Sequence, residues 1–186
     1  MGYLQITPCI LTGGIRGWYM ARNGGRRGAR LRRQRGYRWE ETLADRFNGT
    51  GKWRAFRLGS PSTGLPDILA VCPSEGLIYA IEAKSGSGMS LYVPADQIRR
   101  CKEWVDTFSG MAGGQVLLAF KFLSKKRTGP GRYVQRELRE YYKVWDGDAA
   151  DCVCTYDGDV FERTGGSRRP IRLAECPMPF RTRRRT

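Results

Sequence analysis

Residues 65–86, LPDILAVCPSEGLIYAIEAKSG, contain two apolar runs separated by a short turn, which is the pattern of two paired strands. Three charged residues, Asp67, Glu82 and Lys84, occupy positions where a core hairpin would prefer Val or Ile. If the turn is centred on residues 74 and 75, Asp67 lies opposite Glu82, with the two side chains about 5 Å apart on one face. Lys84 shares that face because strand side chains alternate with a period of two. A slip of one residue would move Asp67 to the other face.

Two carboxylates buried this close together repel each other, and each is driven towards its protonated form unless a cation neutralises them. Lys84 supplies part of that charge, so a structural ion-pair cluster is one interpretation. A hard divalent cation held by oxygen ligands fits better, with Mg²⁺ the default and Mn²⁺ a substitute. Such an ion polarises a phosphodiester and lowers the pKa of bound water. Lys84 would face that water and the developing charge, so the stretch predicts a phosphodiesterase site.

The positive charge of the chain is concentrated in two arms. The formal net charge is +15. Residues 1–39 hold nine Arg and no acidic residue, residues 163–186 hold eight Arg and one Glu, and the segment between them is nearly neutral. Clustered Arg at both ends is typical of nucleic-acid binding, although a solubilising tail or an anchor to an anionic membrane would share this composition. The candidate DNA contacts in the first arm are Arg32, Arg33 and Arg35.

The composition excludes several classes of chemistry. The chain has no His, which removes Ser/His and Cys/His nucleophile pairs and His-metal nucleases. It has no GxxxxGK[ST] motif, so no nucleotide cofactor is expected. Its six Cys form no CxxC pair, and Cys152 and Cys154 are interpreted as strand residues rather than metal ligands. No run of about 18 apolar residues is present, so no membrane partner and a cytoplasmic, nucleoid-associated location are expected.

A helix is predicted near Tyr37, where the Gly/Arg-rich composition ends. In the segment YRWEETLADRF, Leu43, Ala44 and Phe47 recur at helical spacing, and Glu40 falls on the same face. A carboxylate on the buried face of a helix is unusual. This position marks Glu40 as a candidate site residue.

The order of the remaining elements predicts an α/β domain with a mixed sheet. Strands are expected in KWRAFRLG, DILAV, LIYAIEAK, GQVLLAFKF and LREYYKVWDGD, and a second helix in PADQIRRCKEWVDTFSG. The segment SKKRTGPGR is expected to be a basic loop. The segment CVCTYDGDVFER is expected to be a hairpin with Asp-Gly at its turn.

The segments around the charged stretch resemble those of a known nuclease family. PD, followed after 14 residues by EAK, is similar to the PD-(D/E)xK nuclease motif. The segments GYRWEETLADRF, FRLGSPSTGLPDILAV, IYAIEAKSG, LYVPADQIRRCKEWVDTFSG and VLLAFKF follow in the order found in archaeal Holliday junction resolvases of the Hjc type. The resemblance spans roughly residues 36–123. It implies a restriction-endonuclease-like core, with a central mixed β-sheet flanked by helices, and metal-dependent paired nicking of four-way DNA junctions by a homodimer.

The resemblance implies a role for each candidate residue. The catalytic residues are Glu40 of the family's N-terminal helix, the motif aspartate Asp67, and the ExK pair Glu82 and Lys84. The three carboxylates among them would bind the metal. The further DNA contacts are Arg57 and Ser60, which match the basic residue and the serine before the motif aspartate, and Gln97 in the following helix, for which an exposed helix position is an equal alternative.

Three regions are expected along the chain: a flexible basic arm over residues 1–36, a nuclease domain over 37–146, and a C-terminal hairpin with a basic tail over 147–186. Met20 is a more natural start than Met1. The aromatic residues of the second half could form either a dimer contact or part of the core. They are Tyr133, Tyr141, Tyr142 and Trp145.

Two other functions stay open at the level of the residues. One is a different nuclease with the same motif, of restriction or flap type. The other is a non-catalytic architectural protein whose basic arms coat DNA. The complete set of three carboxylates and one lysine argues against the second, because a decayed site should have lost a member.

We expect the N-terminal arm to raise DNA affinity without setting specificity. Deleting residues 1–35 removes eight Arg, and each lost phosphate contact lowers the slope of log affinity against log salt by about one. The preference for a four-way junction over duplex should survive, because it is assigned to the body of the protein. Binding titrations across a salt series measure both, and an unchanged slope would mean that the arm does not touch DNA.

Overall fold

The computed structural model describes residues 28, 33–59, 64–108, 110 and 113–182. The chain divides into two compact units, Met1–Gln34 and Arg35–Thr186. In the smaller unit the described residues 28, 33 and 34 are helical. Four residues named above lie outside the described residues: Met1, Met20, Arg32 and Ser60.

The described residues of the larger unit form two helices and eleven strands. In chain order these are helix α1 (35–48), strands β1 (Arg54–Arg57), β2 (Ile68–Cys72), β3 (Leu77–Gly86) and β4 (Ser90–Val93), and helix α2 (Ala95–Thr107). They are followed by β5 (Gly113–Phe122), β6 (Lys125–Gly129), β7 (Arg132–Gln135), β8 (Arg139–Trp145), β9 (Asp151–Thr155), β10 (Val160–Thr164) and β11 (Ser167–Ile171).

The central sheet has five strands in the order β1-β2-β3-β5-β8. Only the β3–β5 pair is parallel, so the sheet is mixed. Its middle strands are apolar on both faces because helices or strands cover both sides. The predicted α/β class, with a central mixed sheet flanked by helices, is confirmed.

The register of β2 against β3 is the predicted one. Ile68 pairs with Ile81 and Cys72 pairs with Leu77. The turn between the strands covers residues 73–76 and ends at Gly76, whose φ of 64° favours glycine. Continuing this register by one residue sets Asp67 opposite Glu82.

Helix α1 covers one face of the central sheet. Leu43 and Phe47 are fully buried, and the Phe47 ring packs on Trp53 and Tyr79. The spacing of these apolar residues fits the helical period, so the helix presents a single stripe to the sheet. Glu40 lies on that stripe and is 7% exposed, as the sequence predicted.

The opposite face of the central sheet is covered by α2 and by a second sheet. This sheet has four strands in the order β11-β10-β9-β4. Ile98 and Cys101 of α2 pack with Cys152 and Cys154 of β9 in one apolar cluster. Cys152 and Cys154 are therefore strand residues, and the five Cys among the described residues are all free and buried.

The structure corrects the predicted strands in two respects and decides between two interpretations of the aromatic residues. SKKRTGPGR is not a loop, because most of it belongs to the antiparallel hairpin β6–β7, which turns at Gly131 with φ 70°. Strands β4 and β11 were not predicted. Of the four aromatic residues considered for a dimer contact, three are buried in the core and only Tyr133 is exposed; the buried ones are Tyr141, Tyr142 and Trp145.

Among the described residues, no helix is both long and apolar enough to span a bilayer.

We predict that the β9–β10 hairpin contributes to stability by packing against β8. A Cβ added at Gly158 would lie 2.6 Å from Cε1 of the Tyr141 ring, and the φ of 93° disfavours a side chain. Gly158→Ala should lower the free energy of unfolding by about 2–4 kcal/mol, combining backbone strain with overpacking. Gly166→Ala is the matched control, because it has a φ of 89° and open space, and it should cost only about 1 kcal/mol. Urea unfolding measures both, and equal losses would contradict the packing.

Candidate active site

The four predicted catalytic side chains come from three elements and lie within electrostatic reach of one another. Glu40 comes from α1, Asp67 immediately precedes β2, and Glu82 and Lys84 point to one face of β3. The charge of Asp67 raises the pKa of both glutamates, and the charge of Lys84 lowers both. The structure therefore brings together three carboxylates and one ammonium group.

The main chain holds Asp67 in place on both sides. The Ala83 N–H of β3 donates to Oδ2 of Asp67 at 2.9 Å. On the other side, the N–H groups of Leu58 and Gly59 donate to the Asp67 carbonyl oxygen at 2.9 and 3.3 Å. A Cβ at Gly59 would stand 3.1 Å from Oδ1 of Asp67. The absence of a side chain at Gly59 thus leaves room for the carboxylate, a requirement that the sequence alone did not reveal.

Glu82 is a fully buried carboxylate whose two oxygens have different surroundings. Its Oε1 accepts a hydrogen bond from Lys84 Nζ at 2.5 Å. Its Oε2 lies 3.8 Å from Nη2 of Arg100 and has no hydrogen-bond partner in the described part of the chain. The pKa of Glu82 is raised to about 7, mainly by burial and also by the charge of Asp67, while Lys84 acts in the opposite direction.

Glu40 is held by a cation from the neighbouring strand. Arg57 Nε donates to Oε2 of Glu40 at 2.8 Å, and the Arg57 guanidinium lies 4.4 Å from the centre of the Tyr37 ring. Burial raises the pKa of Glu40, as does Asp67, while Arg57 lowers it. Arg57 was predicted from the sequence as a DNA contact. In the structure it orients a site carboxylate, and its side chain remains 35% exposed.

Helix α2 covers the site from one side. Arg100 approaches Glu82, and the charges of Glu82 and Asp67 raise the pKa of the buried Cys101 thiol, although burial is the larger cause. Gln97 precedes these residues by about one helical turn, and its Oε1 is buried without a hydrogen-bond partner among the described residues. Arg100 was missed at the sequence level. Its spacing of three from Gln97 on a helix is the signal that could have identified it.

The donor set fits a divalent cation, although the described residues form no ready-made metal cluster. No group of three His, Cys, Asp or Glu among them is arranged to hold a metal ion. Mg²⁺ is commonly bound by one or two carboxylates, with water and substrate phosphate completing the shell. The Oε2 atom of the buried Glu82, opposite Asp67 and without a hydrogen-bond partner, provides one such ligand. A cation would also neutralise the repulsion that raises the pKa of Glu82.

The remaining predicted DNA contacts that the structure describes are two arginines. Arg33 and Arg35 are exposed. Arg35 belongs to the larger unit and lines a cleft with Ser87 and Tyr133. The structure therefore groups Arg57 and Gln97 with the catalytic candidates, and it places Arg35 in a cleft that none of the four catalytic candidates lines.

Comparisons with known proteins were made against families, curated proteins and solved structures. The model of the archaeal Holliday junction resolvase (Hjc) family matches residues 31–146, which is more than half of the chain. No curated protein matches. Among solved structures, the chain is similar to the 1.6 Å structure of Hjc, a Holliday junction resolvase from the archaeal hyperthermophile Archaeoglobus fulgidus. The identity is 16%, the match covers 66% of this chain and 85% of that chain, and the TM-score is 0.45.

We predict that the metal-free protein loses stability as the pH rises through the titration of Glu82. The folded-state pKa of about 7 lies above the ordinary value of 4.5, so the folded protein retains a proton that the unfolded chain has released. The contribution of this group to the free energy of unfolding therefore falls between about pH 4.5 and pH 7. Glu82→Gln removes this titration. In EDTA, the free energy of unfolding of the variant minus that of the wild type should therefore be larger at pH 8 than at pH 4.

Urea midpoints at the two pH values measure this difference. Glu41→Gln is the matched control, because Glu41 is the exposed neighbour of Glu40 on α1 and should leave the pH dependence unchanged. A Glu82→Gln protein whose stability follows the wild type at both pH values would contradict the assignment.

Proposed function

The chain belongs to the archaeal Holliday junction resolvase family, and we propose that the carboxylates gathered where β2 pairs with β3 are the centre at which it cuts DNA. Members of this family are nucleases that cleave DNA junctions. This chain is therefore an endonuclease of DNA recombination and repair that acts on branched DNA. Family membership also decides against the two alternatives left open by the residues, another type of nuclease and a non-catalytic architectural protein.

One observation carries the site proposal. Glu82 is fully buried, and Asp67 lies opposite it in the register of β2 and β3. Burying a charged carboxylate beside a second one is unfavourable unless a cation compensates. Lys84 engages one oxygen of Glu82, whereas Oε2 has Arg100 at 3.8 Å and no hydrogen bond from any residue that the structure describes. The arrangement is poorly suited to stabilising a fold and well suited to holding a divalent metal.

We assign the metal to Asp67 and Glu82, with Glu40 as a third carboxylate. Hjc nucleases depend on a divalent metal, and Mg²⁺ is our proposal, with Mn²⁺ as a substitute, because oxygen ligands suit both ions. When bound, such an ion activates water and stabilises charge on the phosphate. Arg57 keeps Glu40 oriented through their hydrogen bond.

Lys84 is the group of this chain that can act on the reacting phosphate. Its Nζ is held by Glu82 and its side chain is 26% exposed, so the ammonium is positioned by a buried partner and remains open to substrate. An ammonium in this place stabilises the negative charge that develops on a phosphate under attack. Gln97 and Arg100 border the same region from α2.

The wider organisation is also a proposal. We infer a nuclease domain over residues 37–146, with a basic DNA-binding arm over 1–36 and a C-terminal hairpin and basic tail over 147–186. We infer further DNA contacts in the arm and around the site. They are Arg32, Arg33, Arg35, Arg57, Ser60 and Gln97. Because the substrate is DNA, a cytoplasmic location associated with the nucleoid follows from the same proposal.

The site proposal is tested by conservative substitutions of its carboxylates. Asp67→Asn and Glu82→Gln should each lower the rate of four-way junction cleavage in Mg²⁺ by at least about a hundredfold, because each removes a metal ligand. Junction binding should stay within a few-fold, since losing a negative charge does not repel phosphate. Lys84→Ala should also lose cleavage while still binding metal.

Cleavage of a labelled four-way junction beside linear duplex, with Mg²⁺ or with EDTA, measures these rates. Glu41→Gln is again the control and should cut at the wild-type rate. Cleavage by Asp67→Asn or Glu82→Gln at a near wild-type rate would show that the metal lies elsewhere.

We also propose that the protein acts as a homodimer. A four-way junction has two-fold symmetry, and its resolution needs nicks at equivalent points in two strands. Two identical sites related by a two-fold axis meet that need, whereas one site in a 21.1 kDa chain does not. Sedimentation should give about twice the chain mass, and the products should be ligatable linear duplexes. A monomer that nicks junctions once, at unrelated positions, would contradict the dimer.

A further inference from the structure

The hairpin β6–β7 carries an unbalanced positive charge. Between residues 125 and 136 there are five cationic residues and no carboxylate. Arg136 packs on the Tyr156 ring. The other four form no ion pair within the described part of the chain; they are Lys125, Lys126, Arg127 and Arg132. Like charges gathered on one short hairpin repel, and a polyanion is the partner that relieves this repulsion.

The hairpin is fixed to the strand that carries the catalytic candidates. The Arg127 N–H donates to the Ser87 carbonyl oxygen at 3.1 Å, and the Leu123 N–H donates to the Gly86 carbonyl oxygen at 2.9 Å. Ser87 lies three residues beyond Lys84, and a strand rises about 3.3 Å per residue. The base of the hairpin is therefore about 10 Å from the Lys84 position along β3. That distance corresponds to one or two nucleotides of a DNA strand.

One face of the hairpin opens onto a cleft of nucleotide size. The cleft has a volume of about 370 Å³, within the range of ligand sites. The pairing of Arg127 with Tyr133 puts a cationic and an aromatic side chain on the same face of the hairpin. The Tyr133 ring is 47% exposed. The cleft is lined by Arg35, Ser87, Leu123, Ser124, Lys125 and Tyr133.

These features favour DNA over a second copy of the chain as the occupant. An exposed aromatic ring among cations and hydroxyl groups is typical of surfaces that stack a base and bind its phosphates. In a two-fold contact between copies, each subunit presents the same patch to the other. Lys125 and Arg127 would then face their own counterparts with no carboxylate on the hairpin to separate them.

We propose that this cleft receives a nucleotide that leaves the base stack at the branch point, next to the phosphodiester that is cut. Tyr133 stacks on the base, and Arg35 and Lys125 bind the adjoining phosphates. The inference rests on the proposed function, because it takes the end of β3 as the place where the strand is cut. It adds a substrate contact for the basic hairpin, which the catalytic centre does not use.

The experiment measures how tightly the full chain binds a four-way junction and a duplex of equal length. EDTA is present so that no cleavage occurs. Tyr133→Ala should weaken junction binding about tenfold and duplex binding less than twofold, because only the junction offers an unstacked base. Tyr133→Phe should bind within twofold of the wild type. Val134→Ala is the matched control, since Val134 is 56% exposed on the opposite face of the same hairpin.

Abasic nucleotides placed one at a time around the branch point give a second readout. At one position the wild type should lose about tenfold in affinity, while Tyr133→Ala should lose nothing further, because the stacking partner is already gone. Lys125→Ala should lower the salt slope of junction binding by about one. Sedimentation of each variant should show an unchanged mass.

Three results would overturn the proposal. The first is junction binding by Tyr133→Ala at the wild-type affinity, and the second is a Tyr133→Ala substitution that lowers affinity by the same factor on intact and on abasic junctions. The third is a Tyr133→Ala protein that binds junctions weakly and whose mass in sedimentation has halved. The last would assign the hairpin to a contact between subunits. These failures are distinct from failure of the proposed function, in which the wild type itself would neither bind nor cut junctions.

Discussion

The antiparallel pairing of β2 with β3 is the constraint on which the site depends. The ladder from Ile68–Ile81 to Cys72–Leu77 fixes the register, and one further step sets Asp67 opposite Glu82. A slip of one residue would reverse the face of every side chain on β2 and move apolar residues out of the core. The same contacts that stabilise the core therefore position the carboxylates. The N–H group that binds Asp67 comes from Ala83 on β3, the partner strand of β2.

The electrostatics of the site are only partly balanced within the chain. Glu82 is fully buried, Lys84 binds one of its oxygens, and Arg100 stays 3.8 Å from the other. Elsewhere in the core the chain balances a buried carboxylate more fully: Glu140 accepts hydrogen bonds from Arg46 and Tyr142. The contrast indicates that Glu82 is left incompletely neutralised for a ligand, whereas Glu140 serves the fold.

Local sequence patterns were sufficient to predict features that neighbouring residues determine. The turn residues between two apolar runs predicted the β2–β3 register, and helical spacing predicted that Glu40 is buried. The errors arose where distant residues decide. Strand β4 has only four residues and forms a ladder because β9, about sixty positions later, pairs with it. The β6–β7 hairpin lacks alternating apolar residues, and its strands are identified by main-chain pairing alone.

The sequence also did not show which side chains from distant elements contact each other. Arg57 was predicted as a DNA contact from the family resemblance, and nothing local indicated that it also binds Glu40, seventeen positions earlier. Arg100 was overlooked because helix α2 had to be placed over β3 before its approach to Glu82 could be seen. Residue types and spacing thus predicted which groups meet at the proposed site, while the second layer that orients them required the tertiary structure.

The central claim is that Asp67 and Glu82 together hold a divalent cation. The most direct test is calorimetric titration of the DNA-free protein with Mn²⁺ near pH 7, carried out in buffers of different ionisation enthalpy. Because the metal-free pKa of Glu82 is about 7, binding should release a fraction of a proton. Glu82→Gln and Asp67→Asn should lose both the binding and the proton release. If both variants bind Mn²⁺ with wild-type affinity and the same proton release, the carboxylate pair is not the metal site.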